Sequence, residues 1–284
     1  MQYVDLHSHS TASDGTLAPA ELVRRAADAG VSAFSLTDHD TVGGIAEAQR
    51  TAKELHIDFL PGIEISAQYP RPGTLHLLGY GIDPANPALS HLTTNLNAGR
   101  GDRNVRIIAR LNEVGVSITL EEVLAGASGT VGRPHIAEVL VRKGYVKTKQ
   151  QAFDKYLGQS GLAYEDKETI TPAGAISMIH AAGGLAVLAH PNQLRKSNTA
   201  ELAHEIKTLA DFGLDGIEVI HSDHTDALVE HLDELSRRFN LLPTGGSDFH
   251  GDNKPTIRIG YAGNRRVPRA YYDQLMDRLS DVRA

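Results

Sequence analysis

Tyr3-Val4-Asp5-Leu6-His7-Ser8-His9 is the stretch that most constrains the fold, because it is a short apolar strand that ends in two histidines. Side chains alternate along an extended chain, so His7 and His9 point to the same side and can share a metal ion. Asp14 follows in a Ser-Asp-Gly turn, where we expect Gly15 to adopt a positive φ and leave the carboxylate free to reach the pair. Two histidines near a strand end can also be ordinary surface residues, so the interpretation depends on whether the pattern recurs.

The pattern does recur, since further predicted strands end in His, Asp or Glu. Buried strands are expected at residues 31–36, 57–60, 75–80, 185–189, 216–220 and 241–245, with helices at 19–29, 43–55 and from 172 onward. The polar residues in or after these strands are His39, Glu64, His76, His190, Asp248 and His250. Strands alternating with helices of about a dozen residues indicate a parallel sheet or barrel. Such barrels build their active sites at the carboxyl ends of the strands.

The alternation stops after the turn-rich segment Asp83-Pro84-Ala85-Asn86-Pro87. From about residue 91 to 157 the sequence predicts only helical segments, at 104–114, 120–125, 133–143 and 149–157. We therefore predict a barrel in two parts, residues 1–84 and 166–284, with a helical insertion at residues 85–165.

Five motifs together resemble those of the PHP (polymerase and histidinol phosphatase) family, and most closely its stand-alone phosphoesterases of the TrpH/YciV type. The motifs occur in family order: Asp5-Leu6-His7-Ser8-His9 with Ser13-Asp14-Gly15, Thr37-Asp38-His39-Asp40, Gly62-Ile63-Glu64-Ile65-Ser66, Ala189-His190-Pro191 and Gly246-Ser247-Asp248-Phe249-His250. The resemblance implies an α/β fold, a distorted (β/α)7 TIM-like barrel with a small helical insertion domain. It also implies a metal-dependent enzyme that hydrolyses phosphate esters of nucleotides or short RNA.

The residues themselves favour metal, because three carboxylates held close together repel one another unless cations lie between them. The chain has no cysteine, so the ligands must be nitrogen and oxygen, and two or three divalent ions, Mn, Fe or Zn, are expected. The resemblance assigns one ion to His7, His9, Glu64 and Asp248, a second to Glu64, His76 and His190, and a third to Asp14, His39 and His250. It implies that Asp14, His39, Glu64, Asp248 and His250 act in catalysis, with a metal-activated hydroxide as nucleophile.

Some histidines have simpler interpretations. His76 lies in an apolar run and could be a core histidine, and His190 before Pro191 could merely mark the end of a strand. Asp38 and Asp40, which flank His39, are expected to hold neighbouring groups or to cap a helix rather than to bind metal. Five histidines away from the motifs are interpreted as surface residues, namely His56, His91, His180, His204 and His231.

Substrate selection is assigned to residues outside the cluster. Arg133 and His135, in Gly132-Arg133-Pro134-His135, can hold a phosphate, although this arginine can also be a solvated residue at a helix start. Lys155, Tyr156 and His224 are weaker candidates. A phosphate-binding group in addition to the catalytic cluster fits substrates with two phosphates. Nucleoside 3',5'-bisphosphates and short 5'-phosphorylated RNA are the substrates that the resemblance implies. The alternatives are a histidinol-phosphate phosphatase and a catalytically silent, metal-stabilised PHP module.

Composition sets limits on partners and location. The 284 residues carry a net charge of −7, which disfavours an extended nucleic-acid-binding surface. No run approaches the roughly 20 apolar residues that a membrane span requires, and the amino terminus enters a strand without a signal segment. We expect a cytoplasmic monomer that binds a small nucleotide or short RNA.

Overall fold

The computed structural model describes residues 2–125, 131–166 and 169–283. The chain forms two compact units, one of Met1–His91 with Thr169–Ala284 and the other of Leu92–Glu168. We call the first the barrel unit and the second the helical unit.

The barrel unit is built on one sheet of eight strands, in the order β7-β6-β5-β4-β3-β2-β1-β8. The strands are β1 Tyr3–Asp5, β2 Val31–Leu36, β3 Asp58–Ala67, β4 Leu75–Tyr80, β5 Leu185–Leu188, β6 Gly216–His221, β7 Leu242–Gly246 and β8 Val267–Pro268. The sheet nearly closes, because the chain at β1 also contacts β7: the amide of Leu6 donates to the carbonyl of Gly245 at 3.3 Å. The α/β barrel expected from the sequence is confirmed.

Strand β4 departs from the all-parallel arrangement that the strand–helix alternation favours. Pairs β1–β2, β2–β3, β5–β6 and β6–β7 are parallel, whereas β4 runs antiparallel to both β3 and β5. The connection 68–74 between β3 and β4 contains no helix, so the two strands form a hairpin instead of a crossover. Glu64 lies within the extended β3, opposite Leu78, and not after the end of that strand.

Ten α-helices accompany the strands in the described residues. They are α1 Pro19–Asp28, α2 Ile45–Glu54, α3 Pro87–Glu113, α4 Leu120–Leu124, α5 Arg133–Arg142, α6 Lys149–Ala152, α7 Pro172–Ala181, α8 Thr199–Asp211, α9 Asp226–Arg238 and α10 Arg269–Arg283. Helix α7 begins as predicted, since the side chain of Thr171 accepts a hydrogen bond from the amide of Gly174 at 3.1 Å. No helix in these described ranges combines the length and apolarity needed to cross a bilayer.

The helical unit has an apolar core of its own. It contains most of α3, then α4 to α6 and a π-helical turn at Phe153–Leu157. Its fully buried residues include Ile107, Leu111, Ile136, Leu140 and Leu157. Helix α4 starts with a capping box, in which Thr119 and Glu122 each bond the other's backbone amide. The helical segments that the sequence predicted for this region are present, with α3 starting earlier than expected.

Glycines make the join between β1 and β7 tight. A Cβ on Gly246 would lie 2.3 Å from the Cβ and 2.4 Å from the backbone nitrogen of His7. The carbonyl of His7 also accepts a hydrogen bond from the amide of Asp248 at 2.9 Å. Backbone therefore packs directly on backbone where the two strands deliver their histidines and carboxylate.

We expect Gly246→Ala to lower the free energy of unfolding by about 3 kcal/mol, because the new methyl group clashes with backbone that cannot move aside. Urea denaturation measures the change. Gly101→Ala is the matched control, since a Cβ there meets nothing within 4 Å; in helix α3 it should be neutral or stabilising by up to about 1 kcal/mol. If the two variants were equally stable, the close backbone packing proposed between β1 and β7 would be contradicted.

Candidate metal centre

One end of the barrel brings all nine predicted ligands into one cluster, most of it buried. Their ligand atoms fall into overlapping groups in which every atom lies within 4.8 Å of the others. The groups that consist of predicted ligands are His9–Asp14–His39–His250, His7–Glu64–His190, His7–His9–Asp248 and His39–Glu64–His76. Parallel strands end at one edge of a sheet, which explains why residues far apart in the sequence meet here.

Glu64 occupies the centre of the cluster. Its Oε2 lies 3.4 Å from Nε2 of His7, 3.2 Å from Nε2 of His9 and 3.0 Å from Nδ1 of His39. Its Oε1 lies 2.8 Å from Nδ1 of His76 and 2.9 Å from Nε2 of His190. Both oxygens of this fully buried carboxylate therefore face imidazole nitrogens, and the role of Glu64 as a ligand shared between ions stays a prediction.

The observed groups overlap with the three predicted ligand sets without reproducing each of them. Asp14, His39 and His250 do share a group, and His9 joins them. His76 and His190 both approach Oε1 of Glu64 but belong to different groups. The division of the ligands among individual ions therefore stays a prediction.

Burial and charge oppose each other in the cluster. Burial alone would raise the pKa of Glu64 and of Asp248, but neighbouring cationic groups, above all His39 for Glu64 and Lys254 for Asp248, hold both pKa values well below their usual range. Burial also disfavours protonation of His9, yet Asp248 and Glu64 raise its pKa to about 9. For His190 burial prevails over Glu64 and lowers the pKa to about 4. Such perturbed values are typical of functional sites.

Several buried atoms of the cluster have no hydrogen-bond partner. They include Nε2 of His7, Nε2 of His9, Nδ1 of His39 and Oε2 of Glu64. Buried polar atoms are normally paired, so unpaired lone pairs that converge on one volume need another explanation. Divalent cations fit, because imidazole nitrogen and carboxylate oxygen suit Mn, Fe and Zn.

Asp38 and Asp40 hold the loops that carry the ligands. Asp38 accepts hydrogen bonds from the amide of Ser10 at 2.8 Å and the hydroxyl of Ser13 at 2.5 Å, which fixes the turn before Asp14. Asp40 accepts from the amide of Ser66 at 2.9 Å. Both aspartates support the site as expected.

The expectation of a positive φ at Gly15 is wrong, because this glycine lies outside the left-handed region. It is needed for a different reason. A Cβ at this position would come within 2.2 Å of the carbonyl oxygen of His9, so only glycine lets the turn pack against the strand end. The turn still brings Asp14 to the cluster, with its Oδ1 3.4 Å from Nε2 of His250.

Two predicted ligands have backbone angles that their residue types rarely adopt. His190 has φ 27° and Asp248 has φ 56°. A residue other than glycine in this region costs of order 1–3 kcal/mol, and such strain persists only where surrounding contacts enforce it. Backbone strain at two strand ends is a further sign of a functional site.

Three residues at the cluster were missed by the sequence prediction. Glu218 and His221, both on β6, form a further group with His7. His221 ends this strand, so the strand-end rule that identified other ligands would have found it, whereas Glu218 lies in the middle of the strand, where that rule does not apply. Lys254 lies in the turn after His250, with Nζ 2.5 Å from Oδ2 of Asp248, and no local pattern points to it.

Four of the predicted substrate contacts belong to the helical unit. Arg133 is half-buried and donates from Nη1 to the carbonyl of Leu157 at 3.1 Å. Nδ1 of His135 accepts a hydrogen bond from the amide of Gly132 at 3.1 Å, at the start of α5. Tyr156 is 5% exposed and belongs to the apolar core, whereas Lys155 is exposed and borders a cavity of about 500 Å³.

His224 lies in the barrel unit. It is buried, and its ring centroid is 5.1 Å from that of His221. Its Nδ1 is 3.0 Å from the carbonyl oxygen of Val219.

The sequence model of the PHP domain matches residues 5–211, a range that begins in β1 and includes seven of the nine clustered residues. The chain belongs to the PHP domain family. This confirms the resemblance that the motifs carry. That these nine residues bind metal stays a prediction.

Named relatives of this PHP domain protein act on phosphate esters. A 5'-3' exoribonuclease of Haemophilus influenzae is 40% identical over 249 residues, which are 87% of this chain and 89% of the relative. A 3',5'-nucleoside bisphosphate phosphatase of Chromobacterium violaceum is 34% identical over 269 residues, 92% of each chain. A crystal structure from Bifidobacterium adolescentis, described as a metal-dependent phosphoesterase, matches with a TM-score of 0.86 and 33% identity over 98% of this chain and 96% of that one. The PHP domain protein is a phosphoric ester hydrolase.

Without metal, the PHP domain protein should become less stable as the pH rises from 6.5 through about 9. The pKa of His9 is raised from 6.5 to about 9, so its stabilising contribution is complete below pH 6.5 and is lost as the pH rises through the folded-state pKa. Urea unfolding in a chelating buffer at pH 6.5 and 9.5 should differ by on the order of 1–3 kcal/mol, because one pKa unit corresponds to about 1.4 kcal/mol. His9→Asn removes this titration and should show a smaller decline. Identical declines in both proteins would contradict the interpretation.

Proposed function

We propose that this protein hydrolyses phosphate esters of nucleotides, with nucleoside 3',5'-bisphosphates and short 5'-phosphorylated RNA as its substrates. The observation that carries the proposal is the buried Glu64 carboxylate with five imidazoles at the strand ends, beside the carboxylates of Asp14 and Asp248. This arrangement can hold two or three divalent cations and little else.

The residues of the cluster have distinct tasks in the proposed reaction. When bound, the cations lower the pKa of a water molecule and polarise a phosphoryl oxygen. Glu64 keeps the imidazoles of His7, His9 and His39 close together, which fixes the spacing of the ligand atoms. Asp248 presents Oδ1 to His9 at 3.2 Å, while Lys254 holds its other oxygen.

Side-chain exposure indicates where a phosphate enters. The imidazoles of His7 and His9 have no exposed surface, whereas those of His39 and His76 are 15% and 20% exposed. The side chain of Lys254 is 40% exposed and adds positive charge at the accessible rim. An anionic ester can therefore reach the cluster past these residues although the whole chain is negatively charged.

The two proposed substrates share a chemical core. A nucleoside 3',5'-bisphosphate and the 5' end of a phosphorylated RNA both contain a nucleoside with one phosphate on each side. They differ in whether the 3'-phosphate carries a further nucleotide. One site that holds one phosphate and cleaves at the other can accept both, in agreement with the two activities named for the relatives.

We assign the phosphate that is not cleaved to Arg133 at the start of α5. Its guanidinium carbon lies 5.5 Å from the centroid of the Tyr164 ring, and its Nη1 donates to the carbonyl of Leu157. Burial lowers the pKa of this guanidinium, and the neighbouring positive charge of Arg100 lowers it further. Two nearby arginines are a favourable setting for a phosphate. His135, Lys155, Tyr156 and His224 remain further candidates for substrate contacts.

The proposed substrate class is tested with a panel of adenosine 3',5'-bisphosphate, a short 5'-phosphorylated RNA and histidinol phosphate. We expect phosphate release from the first, mononucleotide release from the second and a much lower kcat/KM on the third. Asp248→Asn should abolish turnover of all substrates at any concentration, because it removes a charged ligand rather than a substrate contact. Preference for histidinol phosphate, or a fully active Asp248→Asn variant, would overturn the proposal.

Arg133→Ala should lower kcat/KM for the bisphosphate by about 10- to 100-fold, which corresponds to roughly 1.5–3 kcal/mol for a charge-assisted hydrogen bond. Hydrolysis of an aryl phosphate should change little, because this substrate has no second phosphate to hold. The ratio of the two kcat/KM values separates the loss of binding from any damage to the fold.

Arg142→Ala is the matched control for this variant. Arg142 ends the same helix and donates to the carbonyl of Glu122 at 3.1 Å in an exposed position. It should behave as the unmodified protein on both substrates. If Arg133→Ala impaired both substrates equally, Arg133 would instead act on the transferred phosphate or on the fold.

A further inference from the structure

Glu218, in the middle of β6, contacts two members of the cluster at once. It is fully buried. Its Oε1 lies 3.0 Å from Nδ1 of His7, and its Oε2 accepts the backbone N–H of His190 at 2.7 Å. Each carboxylate oxygen of Glu218 therefore faces a nitrogen that can donate, one on a side chain and one on the main chain.

The contact with His7 determines which nitrogen of this imidazole carries a proton. An ionised carboxylate can only accept hydrogen bonds, so Nδ1 of His7 must be the donor. Nε2 then faces Oε2 of Glu64 at 3.4 Å and Oδ1 of Asp248 at 3.5 Å, and it has no hydrogen-bond partner. When a cation displaces the proton from Nε2, the lone pair of this nitrogen points into the cluster.

The contact with His190 acts on the backbone. His190 has φ 27° and ψ 67°, a strained combination for a residue other than glycine. Its amide is held by Glu218, and its Nε2 reaches Oε1 of Glu64 at 2.9 Å. One carboxylate therefore orients His7 through its ring and His190 through its main chain.

We propose that Glu218 is a positioning residue of the metal centre, which fixes the Nδ1–H form of His7 and the strained backbone of His190 so that both imidazoles point at the cations. Carboxylates that accept the second N–H of a metal-binding histidine typically contribute 10- to 100-fold in metal affinity. The inference rests on the proposed function, since it requires the cluster to bind cations.

Glu218→Gln tests the proposal with almost no change in shape. The amide can accept one hydrogen bond with its oxygen, but its NH2 group must then face the other donor. In one orientation the NH2 group of the glutamine faces Nδ1–H of His7, and in the other it faces the backbone N–H of His190, so two donors meet in either case. The conflict at His7 is avoided only if its proton moves to Nε2, which then loses the lone pair that faces the cluster. Each of these outcomes weakens cation binding.

Zinc affinity, measured by competition with a chromophoric chelator, should fall about 10- to 100-fold in Glu218→Gln. Glu218→Asp keeps an acceptor of the same charge and should lie between the glutamine variant and the unmodified protein. Glu47→Gln is the matched control: Glu47 accepts the amide of Ala20 at 3.1 Å, away from the cluster. It should bind zinc like the unmodified protein.

Nitrogen-15 spectra of the zinc-loaded, unmodified protein supply a readout that does not depend on the Glu218 variants. The His7 signals, identified by their absence in His7→Asn, should show the proton on Nδ1 and zinc on Nε2. A proton on Nε2 would overturn the proposal.

The remaining outcomes separate the inference from the function on which it rests. If the unmodified protein does not bind zinc, Mn or Fe, the proposed function itself fails. If it binds zinc and Glu218→Gln binds equally well within twofold, only the positioning role fails. Loss of one whole ion in both Glu218→Gln and His221→Ala, with the other sites unchanged, would make Glu218 a direct ligand and would also overturn the positioning role.

Discussion

The structure depends on a single buried carboxylate, that of Glu64, and on the imidazoles that surround it. A charged group without exposure is tolerated only when it is compensated by partners with good geometry. Those partners are His7, His9, His39, His76 and His190, and they come from distant parts of the sequence. The order of strands in the barrel is what brings them together. The same compensation lowers the pKa of Glu64 and leaves lone pairs directed at a common volume.

Much of the barrel and of the cluster could be predicted because the relevant signals are local. Alternation of apolar strands with helices indicates a barrel, and a polar residue at the end of such a strand falls on its functional edge. This rule places His7, His39 and Asp248 correctly at the cluster. It applies equally to His221, the last residue of β6, although this strand was first interpreted only as a structural element. β4 runs antiparallel because the connection between β3 and β4 contains no helix. The alternation of strands and helices in the sequence does not reveal this.

Other features could not be predicted because they arise only in the folded chain. Lys254 reaches Asp248 through a turn whose path no periodicity encodes. Gly15 was correctly recognised as necessary but for the wrong reason, since its close approach to His9 is a tertiary contact. In the helical unit the pattern predicted the helices, yet it did not distinguish the exposed Lys155 from the neighbouring Tyr156, which packs into the core.

The glycine-lined join between β1 and β7 affects how the protein can change through evolution. At Gly246 the distance between the strands is set by backbone contact, with the amide of Asp248 bonded to the carbonyl of His7 at 2.9 Å. Substitutions among the apolar side chains elsewhere in the barrel can alter packing without altering this spacing. Sequence changes in the core therefore leave the positions of the predicted ligand residues unchanged. The crystal structure from Bifidobacterium adolescentis keeps the same fold although only 33% of the residues are identical.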